Sequence, residues 1–327
     1  MCYALLLTLL VFCGNPIVAA EHTRLADHRN LIFDRLGTQA GLSQAAVSAI
    51  AQDQDGFIWV GSQEGLNRFD GYHFETYYHQ PADPASLSHD SIWDILSDTQ
   101  GNLWIGTDAG LNRYNETSNE FESVALDPPL GTESGEDRGA IHVLFEDSAG
   151  RIWIGTSTGL VSMGTERQMV HYHHDPLDPK SLSAGSVRAI FEDSFGKIWV
   201  GTELGGLNRF DEVKQNFAHY RSDPDDPASI SDNYIRAIIE VEPGLLWLAT
   251  FNGGVSIFDT QTGTAERLPI SEFKRARSLL KDQDGDVWVG TDSGLHLWNK
   301  KLRRFGRYVT DPTDMHSISD NTVFELF

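Results

Sequence analysis

Six tryptophans recur down this chain inside one five-residue frame. Trp59, Trp104, Trp153, Trp199, Trp247 and Trp288 each follow a branched apolar residue and precede an apolar residue, a Gly or Ala, and a Thr or Ser. Their spacings are 45, 49, 46, 48 and 41 residues. A unit of that size is one supersecondary element that cannot bury its apolar surface alone, so copies must stack on copies. That requirement narrows the chain to an array or a ring of like units.

Each unit divides into four short strand signals. The first alternates apolar and polar residues, as in "SVRAIFED" (residues 186–193). An Asp-x-x-Gly turn follows in most copies, beginning at Asp53, Asp98, Asp193 and Asp282. There Asp accepts the next backbone amides and Gly supplies the positive φ that returns the chain. Next come the Trp strand, a Gly-bearing turn, a strand such as "GLNRFD", and a fourth strand such as "NFAHYR" (residues 216–221). No helical periodicity competes. The reading is all-β: a β-propeller of four-stranded antiparallel blades at residues 44–79, 89–124, 138–173, 184–221, 232–269 and 275–309. The six tryptophans are expected to form the blade cores, each large aromatic burying roughly 150–250 Å².

The two ends extend the pattern. Residues 31–36 read as an outer closing strand, and residues 317–327 copy the start of a first strand, "SISDN", found also at residue 229. Six complete blades plus parts of a seventh imply an incomplete seven-bladed ring and a fragment of a longer product. Residues 1–20 read as a secretory signal peptide: a short apolar core over residues 4–12, a break at Asn15 and Pro16, and small residues before Glu21. Cleavage is expected after Ala20. A lipid anchor on Cys13 is the weaker alternative, because bulky Phe12 precedes it. The domain is then residues 21–327.

Cys2 and Cys13 are the only cysteines, both in the leader. A mature chain without thiols has no cysteine nucleophile, thiolate metal site or disulfide chemistry, and suits an oxidising compartment. The balance of 25 Lys plus Arg against 47 Asp plus Glu gives a net charge of -22. Such a surface repels phosphate backbones, so nucleic acid is not an expected partner.

Residues 87–115, "LSHDSIWDILSDTQGNLWIGTDAGLNRYN", and 182–211, "LSAGSVRAIFEDSFGKIWVGTELGGLNRFD", resemble the two-component regulator propeller repeat almost position for position. The resemblance runs over residues 31–327. Repeats three, five and six depart in the third strand, at "GLVSMG", "GGVSIF" and "GLHLWN". The resemblance implies a periplasmic sensor region of a membrane receptor whose output is a histidine kinase, often hybrid, or a diguanylate cyclase. It further implies a small-molecule or oligosaccharide ligand, downstream membrane and output domains in the full-length protein, and a homodimer. The alternatives are a free periplasmic binding or scaffold propeller and a polysaccharide-degrading propeller lyase.

Comparing the repeats with one another locates where the template relaxes. Eleven residues before each Trp stand Ser48, Trp93, His142, Arg188, Arg236 and Arg277, with Phe324 in the unfinished copy. The residue just before is always apolar: Val47, Ile92, Ile141, Val187, Ile235 and Ala276. A column free in size and charge beside a restricted one is where ligand specificity can be written. Trp93, His142, Arg188, Arg236 and Arg277 are therefore the candidate ligand contacts; arginines fork onto carboxylates or hydroxyls, and Trp stacks on rings. The competing reading pairs the arginines with acidic residues of adjacent blades.

Other motifs carry less. Repeated Asp-Pro loops at Asp175, Asp223 and Asp311 stiffen the connections before the first strands and only weakly suggest calcium. His171 and His173 of "HYHHDP" share a strand face but lack a third zinc ligand at supporting spacing. Arg68, Arg113 and Arg209 hold equal places in three "LNR" strands, where surface ion pairs are expected. No organised nucleophile and acid/base set stands out, so neither catalysis, cofactor nor metal is expected; His142 is the residue to test for a lyase.

Overall fold

In the computed structural model, the alternation in "SVRAIFED" becomes the strand Val187–Glu192, with Val187, Ala189 and Ile190 buried. It pairs antiparallel with Ile198–Thr202, then Leu207–Asp211, then Asn216–Tyr220. Six such four-stranded meanders follow one another in chain order. Their first strands are Val47–Gln52, Ile92–Ser97, Ile141–Glu146, Val187–Glu192, Ile235–Glu242 and Ala276–Lys281, defining blades 1 to 6. Each first strand neighbours the first strand of the next blade, so these strands surround a common axis and the blades form a ring. The structure describes residues 31–126, 139–268, 275–300 and 303–327, with the backbone of strands Leu5–Leu6 and Leu9–Phe12. Among the described residues, no helix is long and apolar enough to cross a membrane.

The Asp turn does more than reverse the chain. One Asp193 oxygen accepts the amides of Phe195 and Lys197 at 3.0 and 2.9 Å, and the other accepts the Trp199 indole at 2.8 Å. The same indole bond joins Asp53 to Trp59, Asp98 to Trp104, Asp147 to Trp153 and Asp282 to Trp288, at 2.7 to 3.0 Å. Each aromatic thus keeps its one polar atom satisfied inside the blade. Blade 5 is the exception: Val241 stands six residues before Trp247, and the first strand runs two residues further.

Blade contacts are equally uniform. Trp59 packs on Tyr114 of the next blade at 4.8 Å between ring centroids, Trp153 on Phe210 at 5.3 Å, Trp199 on Phe258 at 5.5 Å and Trp247 on Trp298 at 5.8 Å. Closer to the axis the approach is so tight that the second strand needs glycine. A Cβ on Gly201 would lie 2.7 Å from the Cβ of Ile235, and Gly61 and Gly106 face Ile92 and Ile141 in the same way. Where blade 5 has Ala249 instead, the residue in the following blade is Ala276 rather than Ile, and the two share a buried cluster. Volume removed on one side matches volume added on the other.

The expected seventh blade is where sequence and structure differ. Ile32–Asp34 is a strand, but its partners are Leu9–Phe12 and, beyond that, Leu5–Leu6, in a three-stranded antiparallel sheet. The leader therefore supplies the backbone that an unpaired strand edge seeks. Residues 317–327 form no strand: with no second strand beside them, they have no ladder to join. The chain ends nevertheless meet. Phe33 donates its amide to the His316 carbonyl at 3.1 Å, as Phe217 does to Lys180 at 2.8 Å. Arg35 donates to Ser317 and Ile318, and Phe33 is buried with Trp288, Ile318, Val323 and Leu326.

Candidate functional site

The first strand of every blade carries a β-bulge at the variable column. Pairing with the second strand slips between Val47 and Ala49, Ile92 and Asp94, Ile141 and Val143, Val187 and Ala189, Ile235 and Ala237, and Ala276 and Ser278. The residue skipped each time is Ser48, Trp93, His142, Arg188, Arg236 or Arg277. In a regular strand, neighbouring side chains point to opposite faces; a bulge breaks that alternation and re-aims them. Two successive columns can then face the axis together. They do so around a cavity of about 200 Å³ lined by Trp93, His142, Arg188, Arg236 and Arg277, with Ser48 at its edge. All five candidate contacts named from the sequence thus meet in one place.

Their partners differ. Arg188 donates from Nε and Nη2 to Glu203 Oε2 at 3.2 and 3.0 Å. Arg277 donates to Asp292, and its guanidinium lies 4.6 Å from the Phe324 ring. Both carboxylates come from the second-to-third-strand turn of the arginine's own blade, not from an adjacent blade as the competing reading supposes. Arg236 has no hydrogen bond or ion pair among the described residues, and rests over Tyr234 and Phe251 at 5.6 and 5.7 Å. Trp93 donates its indole proton to Asp108 at 2.5 Å, with the Arg188 guanidinium 5.4 Å over its ring and the His142 ring edge-on at 5.3 Å. One Trp93 face is therefore already occupied. Burial, then the nearby Arg188 charge, depresses the His142 pKa to about 4, and its Nδ1 has no hydrogen-bond partner among the described residues.

Two acids in the cavity escaped the column comparison because they lie in the next column. There the residues are Ala49, Asp94, Val143, Ala189, Ala237, Ser278 and Glu325. Among small residues, Asp94 and Glu325 stand out, and that contrast is the signal that finds them. Asp94 accepts the amides of Leu144 and Ile95 at 2.7 and 2.8 Å. Burial pushes its pKa up to about 7; burial and the Asp94 charge push Glu325 up to about 8.

The remaining motifs are placed away from the axis. Arg68 pairs with Glu75 and Arg113 with Glu122, each at 2.6 Å, while Arg209 lies over Trp199. The His171 and His173 rings stack at 6.0 Å, and among the described residues no three His, Cys, Asp or Glu converge to hold a metal. The Asp-Pro loops are closed by their own serines: Ser181 Oγ donates to Asp175 and Asp178, as Ser229 does to Asp223 and Asp226.

A ring of repeated four-stranded blades with a varied axial column is a repeat-built β-propeller. The two component regulator propeller model matches residues 41–64, 86–109, 135–158, 181–203 and 272–293, so five of the repeats are two component regulator propeller repeats. The fifth blade, with its altered turn, lies between the matched segments. Histidine kinase P4 of Formosa agariphila is 43% identical over 61 residues, covering 19% of this chain and 4% of that protein. The extracellular domain of a hybrid two component system from B. thetaiotaomicron superposes with a TM-score of 0.73 at 22% identity, over 90% of this chain and 37% of that one. Virginiamycin B lyase from Staphylococcus aureus superposes with a TM-score of 0.59 at 13% identity, over 80% and 83%. At these identities the two structures share the fold. The chain spans little more than a third of the B. thetaiotaomicron domain and far less of the kinase.

Proposed function

We propose that this chain is the extracytoplasmic ligand-sensing propeller of a membrane-bound two-component or diguanylate cyclase receptor. The observation that carries the reading is the bulged axial column: a position where the first strands diverge beside a restricted apolar neighbour is also the wall of a cavity. The matched repeats and the histidine kinase relative support the signalling context. Export is supported by the apolar leader and the absence of cysteine after residue 13. In this reading the chain performs no catalysis. A small molecule or oligosaccharide at the axis favours one packing of the blades over another, and membrane and output domains of the full-length protein, as a homodimer, read that shift.

A glycan and metabolite panel read by thermal shift tests it. A ligand that stabilises the wild-type chain is expected to lose its effect on Arg188→Ser or Arg236→Ser. Stabilisation that survives both substitutions places the contact elsewhere. The lyase fold likeness and the neutral His142 motivate one control: product released from a polysaccharide panel, and lost on His142→Ala, replaces sensing with catalysis.

A further inference from the structure

Three guanidinium groups reach the axis, and only two of them are neutralised. Glu203 answers Arg188 and Asp292 answers Arg277. Arg236, between them in the ring, has aromatic neighbours and no hydrogen-bonded carboxylate among the described residues; Asp292 and Glu325 act on it only through space, so a charged Glu325 competes with any bound anion. Burial lowers its proton affinity, as do the charges of Arg277 and Arg188, yet an arginine stays protonated in water at any ordinary pH. A half-buried cation without a hydrogen-bonded counter-ion is costly; its planar fork of donors matches carboxylate and phosphate alike, and a single unanswered positive charge suits the singly charged carboxylate.

The cavity sets what can sit against Arg236. A cavity of about 150 Å³ admits benzene; one of about 200 Å³, open at its mouth, seats a single substituted six-membered ring and leaves any longer ligand to extend outward. The facing acids set the electrostatics. Asp94 and Glu325 keep their protons to about 7 and about 8, so in mildly acidic water they offer hydrogens to a bound anion instead of repelling it. His142 is neutral there, and the Arg188–Glu203 and Arg277–Asp292 pairs cancel. Asp108 is engaged by the Trp93 indole and lies nearest the Trp93 edge of the site.

We propose that the axial cavity seats one carboxylate-bearing ring, with Arg236 as its anchor. The proposal rests on the sensory reading of the axis and narrows its ligand class. Affinity is highest where Asp94 and Glu325 are protonated, and falls as rising pH charges them.

The test is calorimetric titration of the chain with matched acids and neutral counterparts: D-galacturonate against D-galactose, and benzoate against benzyl alcohol. At pH 6 at least one acid is expected to bind about tenfold or more tighter than its counterpart. Arg236→Gln should weaken that acid at least about tenfold, with Arg236→Lys between the two as a check that charge without the fork serves less well. Between pH 6 and pH 9 the wild type should lose about tenfold, and the double variant Asp94→Asn with Glu325→Gln should not. Equal binding of acid and neutral partner, unchanged binding by Arg236→Gln, or no heat from either acid overturns the proposal. A full-length receptor that answers neutral glycans only would overturn the carboxylate and leave sensing intact. One that answers no ligand at all would count against the sensory reading itself.

Discussion

Two adjacent residues on one strand have opposite histories in this molecule. Ile235 is buried against Gly201 of the preceding blade, and its counterparts are Val47, Ile92, Ile141 and Val187. Arg236, its neighbour, has Ser, Trp, His and Arg as counterparts and faces the axis. The blade interface is copied because every blade meets a like neighbour, so one solution serves from blade to blade, with Ala249 and Ala276 as its compensated variant. The axis is shared by all blades at once, and nothing about packing one blade on the next dictates what stands there. Repetition marks what holds the ring together, and broken repetition marks what the ring presents.

The strongest way to break that comparison is at the interface. Trp199 is fully buried, accepted by Asp193 and packed on Phe258. Trp199→Ala should cost about 3–5 kcal/mol, read from chemical denaturation. A loss below 1 kcal/mol would mean the tryptophans do not carry the blade core. Gly201→Ala comes next: the new methyl meets Ile235 at 2.7 Å and should cost about 1–3 kcal/mol. Adding Ile235→Ala should recover part of it, because blades 5 and 6 already use Ala249 with Ala276. If the double variant is worse than the single one, the volume match at those blades is coincidence.

A pH series sharpens the axial side. Unfolded, Asp94 and Glu325 release their protons near 3.8 and 4.5; folded, they hold them to about 7 and about 8. Across that interval the folded chain binds more protons, so this contribution is fully present below about pH 4 and declines as pH rises to about 8. Unfolding midpoints should fall over that window in the wild type and fall less in the double variant Asp94→Asn, Glu325→Gln. The smallest effect is expected at the rim. Arg68→Ala removes an exposed pair with Glu75 and should change stability by less than about 1 kcal/mol, declining with added salt.

The blades were legible because their signals are local. Alternation and the Trp frame each occupy a few consecutive residues and recur in every unit, as the Asp turn does in all but blade 5. The Asp turn was read only as a backbone acceptor and its bond to the indole was missed, although the constant six-residue interval between Asp53 and Trp59 or Asp193 and Trp199 is the signal for it. What the repeats could not reveal is the bulge. Comparing repeats isolates Ser48 to Arg277 as a variable column, but a strand read with period two sends Asp94 and Glu325 to the opposite face from Trp93 and Phe324. Only the slipped register places both columns on the axis. The seam lay beyond reach for another reason: which backbone completes Ile32–Asp34 depends on partners hundreds of residues away or in the leader. Cleavage after Ala20 would take Leu5–Leu6 and Leu9–Phe12 from that sheet, as N-terminal sequencing of exported protein would show.

The central claim is that the bulged column is free of any duty to the fold. The unfolding free energy of the triple variant Arg188→Ser, Arg236→Ser, Arg277→Ser tests it most directly, since Ser48 already fills this place in blade 1. A value within about 1–2 kcal/mol of wild type is the expected result, because Glu203 and Asp292 stay partly open to water and the unanswered Arg236 charge is removed with the two pairs. A loss as large as that of Trp199→Ala would show that the axis, like the blade interface, is built to hold the ring together.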